Sequence, residues 1–221
     1  MKKKMILLFI LGLLYAITIN QTDSILNNFE FLSIGISSKD GEFNLLNYLL
    51  NVSVFIIFLT NILEVINSIF KSRCYVISRG GQINFKKILI IETFKKIFFI
   101  LILKQILYSI FFIKEQNFTI FYFYDMVSTL LTLGMFALIS IFLKLWGTKD
   151  KTLLFLIIFV YMVSQALSFN NPIFSIFTIA SIDWYETYFL TLLFKTVIIM
   201  ILIGLVFNKS NLDNLIGENE E

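Results

Sequence analysis

Long apolar runs alternate along the chain with short polar segments that carry most of its charge. The runs are continuous, so they lack the strict apolar–polar alternation and regular turn signals of strands in a membrane barrel. A helix needs about 20 predominantly apolar residues to cross the hydrocarbon core of a bilayer. The pattern therefore predicts one all-α transmembrane domain, residues 1–221, with six spans at residues 5–19, 46–70, 97–113, 124–146, 152–168 and 187–207.

The composition supports an integral membrane protein. Of the 221 residues, 58% are hydrophobic and 15% are charged, whereas an ordinary soluble domain is about 45–50% apolar and about 25% charged. The chain has no His and a single Cys, which excludes His-dependent catalysis, an internal disulfide and a Cys-rich metal site. We therefore expect no catalytic residue, no metal ligand and no cofactor on this chain, and no nucleic-acid partner.

Lysine and arginine gather on one side of the predicted membrane. Cytoplasmic loops of helical membrane proteins carry an excess of these residues. The residues that share the predicted cytoplasmic side are Lys2, Lys3, Lys4, Lys71, Arg73, Arg79, Lys86, Lys87, Lys95, Lys96, Lys144, Lys149, Lys151 and Lys209. The opposite side has only Lys39 and Lys114. We therefore predict a multi-pass protein with both termini in the cytoplasm. Its high Ile, Phe, Lys and Asn usage is typical of AT-rich genomes and suits a Gram-positive plasma membrane.

The first apolar run has a second interpretation. Three lysines followed by a 15-residue apolar run also describe a secretory signal peptide. The residues that follow, 16–20, make a poor small-x-small cleavage site. We therefore favour a retained span, and the remaining topology is the same under either interpretation.

The segment between predicted spans 2 and 3, residues 71–96, is treated as a cytoplasmic loop. It contains a short apolar stretch, a break at Gly80 and Gly81, and then a stretch in which Ile83, Lys87, Ile88 and Ile91 predict one helical face. A simple positive-inside loop that binds anionic headgroups would explain its charge. A docking element for a cytoplasmic protein would also explain its length and its apolar residues, so we favour that interpretation.

The segment after predicted span 5 is too short to cross a membrane. Residues 170–172 form a turn signal that includes the only proline, Pro172, and the apolar stretch 173–182 ends at Asp183, Trp184 and Glu186. We therefore predict a re-entrant or interfacial extracellular hairpin between spans 5 and 6.

Three charged residues fall inside predicted spans. Glu64 and Lys104 lie at similar depths, about 9 and 12 Å from the inner ends of their spans, and are predicted to face each other. Lys195 lies about 12 Å below the outer end of span 6, where Asp125 is a possible partner. A buried charge is costly, so each needs a partner or a water-filled cavity. Both a structural ion pair and a cation facing a transport path remain open. A catalytic Ser–Lys dyad is disfavoured, because no Ser stands convincingly beside either lysine.

This layout resembles the membrane subunit of ABC-2-type exporters, and most closely the small Gram-positive permeases of bacteriocin or lantibiotic export and immunity. The local basis is Tyr75-Val76-Ile77-Ser78-Arg79, followed by Phe85-Lys86-Lys87. The resemblance implies that the 71–96 loop couples the chain to a separate ATPase. The coupling residues it implies are Arg79, Gly80, Gly81, Gln82, Phe85, Lys86 and Lys87.

The same resemblance implies the partners. They are a cytoplasmic ABC ATPase that binds ATP and Mg²⁺, a second identical or different permease chain, the lipid bilayer, and a peptide or amphiphilic substrate. This chain has no G-x-x-x-x-G-K-[ST] motif, so the ATPase activity is expected on the partner.

Two other functions remain open. The first is an immunity protein that sequesters a bacteriocin without ATP, which nothing in the sequence excludes. The second is a substrate-binding subunit of a vitamin importer. Such subunits dock a scaffold through small-residue patterns on span 1, and this span offers only Ala16.

Overall fold

The computed structural model describes residues 45–112, 118–168, 171–179 and 188–208. Within these ranges the structure is helical and contains no strand. The helices are α1 (Leu45–Lys71), α2 (Arg73–Phe112), α3 (Phe118–Leu145), α4 (Asp150–Ser168), a 3-10 helix (Pro172–Phe177) and α5 (Tyr188–Asn208).

Four of the helices are long and apolar enough to cross a membrane: Asn51–Lys71, Phe123–Leu145, Asp150–Ser168 and Phe189–Asn208. They coincide with predicted spans 2, 4, 5 and 6 to within a few residues. Residues 97–112 of predicted span 3 belong to the longer helix α2, which is not among the four candidates in the described part of the chain. Predicted span 1, residues 5–19, lies outside the described residues. The structure therefore supports a helical membrane protein with four candidate spans.

A stack of aromatic rings lies within the core where α1, α3 and α4 meet. Phe55 of α1 stacks on Tyr161 of α4 with the ring centroids 3.7 Å apart, and Phe136 of α3 meets Phe55 edge to face at 5.2 Å. All three side chains are buried. The Tyr161 hydroxyl donates a 2.7 Å hydrogen bond to Asn51 Oδ1, which satisfies the one polar group of this stack.

Polar contacts mark the two ends of the helix bundle. At one end, Asn67 donates to Asp150 at 2.8 Å and Lys144 forms an ion pair with the same carboxylate. The glycine in the left-handed region that follows α3, Gly147, brings the chain round to α4. At the other end, the Tyr48 hydroxyl donates to the Met162 carbonyl at 3.0 Å. The first end also holds Lys71, so we call it the basic end.

The segment 71–96, predicted as a cytoplasmic loop with a break at Gly80 and Gly81, is helical apart from the turn at Ser72 and the break at Gly81. One turn residue separates α1 from α2, and α2 is then broken at Gly81, which has φ 74° and ψ 170°. That backbone region is open essentially only to glycine. We call residues 73–80, the segment before the break, the short arm.

The face predicted for the following helix lies on the outside of the bundle. Ile83, Lys87 and Ile91 are exposed, whereas Phe85 and Leu89 are completely buried. The spacing of Ile83, Lys87 and Ile91 does mark one side of a helix, but that side faces away from the bundle. Lys86 supplies part of the buried face, which apolar periodicity alone does not reveal.

Candidate functional site

A line of polar side chains runs along one face of α3. Asp125, Ser128, Thr129 and Thr132 are spaced i, i+3, i+4 and i+7, which places them on successive turns of the same side. Each is at most 3% exposed. Polar groups buried this deeply need hydrogen-bond partners, and two lysines from neighbouring helices supply them.

Lys104 of α2 contacts Asp125 and Thr129 of this line. Its ammonium Nζ lies 2.9 and 2.8 Å from the two carboxylate oxygens of Asp125, and 2.7 Å from Thr129 Oγ1. Both charged side chains are at least 95% buried, with 4% and 3% of their surfaces exposed. Lys104 therefore forms a buried ion pair with an additional hydroxyl acceptor.

Lys195 of α5 contacts the other two residues of the line, Ser128 and Thr132. Its ammonium donates to Ser128 Oγ at 2.8 Å, to Thr132 Oγ1 at 3.0 Å and to the backbone carbonyl of Thr178 at 2.7 Å. Only 1% of the side chain is exposed. An ammonium has three N–H donors, so these three neutral oxygens use all of them.

The two lysines and Asp125 together form one polar cluster, which we call the α3 cluster: Lys104, Asp125, Ser128, Thr129, Thr132, Thr178 and Lys195. It contains two ammonium groups and one carboxylate. The Thr178 carbonyl also accepts a 3.0 Å hydrogen bond from Thr132 Oγ1. The cluster thus joins α2, α3, α5 and the end of the 3-10 helix.

The structure corrects both charge pairings predicted from the sequence. Glu64 is exposed on α1, and the carboxylate that Lys104 contacts is Asp125. Asp125 is a possible partner of Lys195 by sequence, but the direct contacts of the Lys195 ammonium are two hydroxyls and a carbonyl. The statement that no serine stands beside either lysine is also wrong, since Ser128 contacts Lys195.

Sequence reasoning missed the α3 cluster as a unit. Ser128, Thr129 and Thr132 are neutral polar residues of the kind that often make helix–helix contacts, so singly they do not indicate a site. The signal was their helical spacing from Asp125, which gives α3 a polar stripe in an otherwise apolar span. Thr178 had no such signal, because its backbone carbonyl makes the contact.

The predicted extracellular hairpin is described only in part. Pro172 opens the 3-10 helix, where the missing N–H of proline does no harm. The side chain of Asn171 caps the helix by accepting a 3.0 Å hydrogen bond from the amide of Ile173. Asp183, Trp184 and Glu186, which were predicted to end the hairpin, lie outside the described residues.

The predicted coupling residues divide into two groups. Arg79, Gly80, Gly81 and Lys87 are exposed and Gln82 is partly exposed, whereas Phe85 and Lys86 are buried. Phe85 packs edge to face against Phe70 of α1, with the ring centroids 5.6 Å apart. A direct contact between Phe85 and a partner protein is therefore incompatible with this structure.

Lys86 connects α2 to the end of α5. Its ammonium donates to the carbonyl of Phe207 at 3.2 Å, next to the last residue of α5. The last carbonyls of a helix have no partner within it and carry partial negative charge, so a cation there is favourable. Burial lowers the pKa of Lys86 from its usual value, because the charged form loses hydration.

In the part of the chain that the structure describes, no group of three or more His, Cys, Asp or Glu side chains comes together to form a metal site. No family model, curated protein or solved structure matches the chain.

Proposed function

We propose that this chain is the membrane-spanning subunit of an ABC-2-type exporter that moves a peptide or amphiphile, driven by a separate ATP-binding subunit. The observation that carries the proposal is the short arm, an exposed basic helix between two long helices at the basic end of the bundle. By the positive-inside rule this end faces the cytoplasm, where a soluble ATPase has access to it.

The short arm offers both charge and apolar surface to a partner. Tyr75 is 59% exposed, and the Arg79 guanidinium lies 4.2 Å from the centre of its ring. Beyond the break, Ile83 is 66% exposed. Aromatic and arginine side chains are enriched where proteins bind one another. A loop that only attracted headgroups would need the charge but not this apolar surface.

The buried group of coupling residues supports the proposal in a different way. Phe85 holds α2 against α1, and Lys86 holds it against the end of α5. A force applied to the short arm would therefore reach two helices of the bundle through packed contacts. On this proposal Arg79 and Tyr75 bind the partner, while Phe85 and Lys86 transmit the motion.

Affinity purification from native membranes, with identification of the co-purifying chains, tests the proposal. We expect an ATP-binding protein in stoichiometric amount, and its cross-linking to a cysteine placed at Gln82 in a Cys74→Ser background. Arg79→Glu and Tyr75→Ala should each lower its recovery by about tenfold, the size of a modest interface hot spot.

Lys95→Glu is the matched control, because Lys95 is an exposed basic residue of α2 that lies outside the arm and pairs with Glu92. Its partner recovery should equal that of the unmodified chain. Recovery of the chain alone in mild detergent, or equal recovery with Arg79→Glu and Lys95→Glu, would contradict docking at the arm. Protection from a bacteriocin that persists without any ATPase would favour the immunity function instead.

A further inference from the structure

The three acceptors of Lys195 come from two different elements and form a small oxygen shell. Ser128 Oγ and Thr132 Oγ1 belong to α3, and the Thr178 carbonyl lies just beyond the 3-10 helix. Ser128, Thr132 and Thr178 are each at most 3% exposed. Backbone carbonyls freed where a helix is broken coordinate Na⁺ in membrane transporters, and a hydroxyl oxygen has lone pairs that can accept a cation in the same way.

Thr178 is positioned by the termination of the 3-10 helix. Its amide and its hydroxyl both donate to the Ser175 carbonyl, at 3.2 Å each. Its φ of −109° and ψ of 159° are extended, so its own carbonyl leaves the helical direction. That carbonyl then accepts from both Thr132 and Lys195. The carbonyl is therefore held in place independently of the lysine.

We infer that α3 and the end of the 3-10 helix form a monovalent-cation site, and that the Lys195 ammonium is its tethered occupant. The bound positive charge holds the 3-10 helix against the bundle. A covalently attached cation makes this contact independent of the ions in solution. The inference does not depend on the identity of any partner protein.

The charges around the site explain why a cation belongs there. The charged groups on the helices packed against α5 near this point are Asp125 of α3 and Lys104 of α2, and the described residues of the 3-10 helix contain none. Asp125 stands one turn from Ser128 on the same face, but both of its oxygens contact Lys104. The Lys195 ammonium is therefore balanced mainly by neutral dipoles, and a small monovalent cation is balanced by the same groups.

The test follows the accessibility of the 3-10 helix in the full chain, in a Cys74→Ser background. A cysteine at Ser175, which is 3% exposed, reports release of the helix. A cysteine at Ile173, which is 64% exposed, gives the reference rate for a membrane-impermeant maleimide. The measured quantity is the ratio of the two labelling rates in NaCl and in choline chloride.

Lys195→Met removes the cation but fills its space, so the ratio should rise by about tenfold in either salt, as expected for the loss of a charged hydrogen bond. Lys195→Ala leaves the oxygen shell open. Its ratio should rise in choline chloride and return toward the unmodified value in NaCl. Lys95→Met, which removes an exposed ammonium of α2 outside the α3 cluster, is the control and should leave the ratio unchanged.

A protected cysteine in both Lys195 variants would overturn the inference. So would a loss of protection in Lys195→Ala that NaCl does not reverse, because the oxygen shell would then not bind Na⁺ in place of the ammonium. If the Lys195 variants unfold in choline chloride and Lys195→Ala folds in NaCl, the inference is supported. If neither variant folds in either salt, Thr132→Val is the deciding variant, because it keeps the lysine and removes the two hydrogen bonds of Thr132 Oγ1. The ratio of labelling rates should then rise. An unchanged ratio would overturn the inference.

Discussion

Lys104 and Lys195 are both buried ammonium groups, but different kinds of partner stabilise their charges. Lys104 is neutralised by a carboxylate, whereas Lys195 relies on two hydroxyls and a carbonyl. An ionised lysine at the centre of a membrane helix costs about 2.5–3.5 kcal/mol on insertion scales. Both arrangements recover part of that cost, but only the first depends on a second charge. The two lysines should therefore respond differently when Asp125 is changed.

Asp125→Asn should destabilise the protein by about 3–5 kcal/mol, because it leaves the Lys104 ammonium buried without its counter-charge. The double variant Asp125→Asn, Lys104→Met should recover much of that loss. Thermal unfolding in detergent of the two single variants and the double variant measures the coupling.

The exposed pair Lys95–Glu92, with its two side chains 66% and 46% exposed, is the control for this cycle. Breaking it should cost less than about 1 kcal/mol. Equal losses for the buried and the exposed pair would show that the Lys104–Asp125 contact does not form in the folded protein.

Residue pairing was the least predictable feature of this chain. The depths of Glu64 and Lys104 along their spans were estimated from the helical rise, but depth does not determine which side of a helix a residue occupies. Glu64 lies on the exposed side of α1, and Lys104 on the side that faces α3. The choice between sides depends on tertiary packing, so sequence distance alone selected the wrong acid.

At the scale of the elements, the glycines of the helices have different structural roles. Gly81 breaks α2 with a positive φ, whereas Gly134 of α3 lets neighbouring helices approach closely. A Cβ built on Gly134 would lie 3.3 Å from two ring carbons of Phe94 and 3.7 Å from Ile199 Cδ1. A Cβ on Gly204 of α5 would meet nothing within 4 Å. Gly134 therefore permits a close approach of helices, and Gly204 does not serve that purpose.

Gly81→Ala should cost about 1–3 kcal/mol, because a side chain at φ 74° and ψ 170° is strained whatever space surrounds it. Gly204→Ala is the control and should be neutral or slightly stabilising, since alanine loses less entropy in a helix than glycine. Thermal unfolding of the two variants distinguishes them. A harmless Gly81→Ala would mean that α2 is not broken at this residue.

Gly134→Leu should destabilise the bundle by about 1–3 kcal/mol through overpacking against α2 and α5. Gly204→Leu adds the same side chain to an open surface and should have little effect. Unfolding midpoints in the same detergent test the difference, and equal midpoints would contradict the close approach at Gly134.

Helix positions were predictable and helix faces were not. The ends of α1, α3, α4 and α5 follow the lengths of the apolar runs, because the membrane thickness sets both. The sequence predicted a helical face after Gly80 and Gly81 in the 71–96 segment, but not that the same helix continues into the next apolar run. Its buried face includes Lys86, whose partner is the end of a helix more than a hundred residues later, and local patterning carries no information about such a contact.

For the whole molecule, the grouping of basic residues at one end predicts its orientation. Cys74 is the only cysteine and is exposed on the short arm. A membrane-impermeant maleimide should therefore leave it unmodified in intact cells and label it after permeabilisation. A cysteine at Ile173 in a Cys74→Ser background should show the opposite behaviour. Labelling of Cys74 in intact cells would reverse the proposed orientation.

The contacts of Lys195 also bear on how the protein is made. Helix α5 enters the membrane after α3 and carries a lysine whose acceptors lie on α3 and beyond the 3-10 helix. It is also the most apolar of the four candidate spans, and this offsets the cost of inserting the charge. During biosynthesis, α5 can therefore leave the translocon before Lys195 has found its acceptors. Its correct lateral position is then fixed by docking onto a preassembled α3, so assembly of the bundle should end with α5.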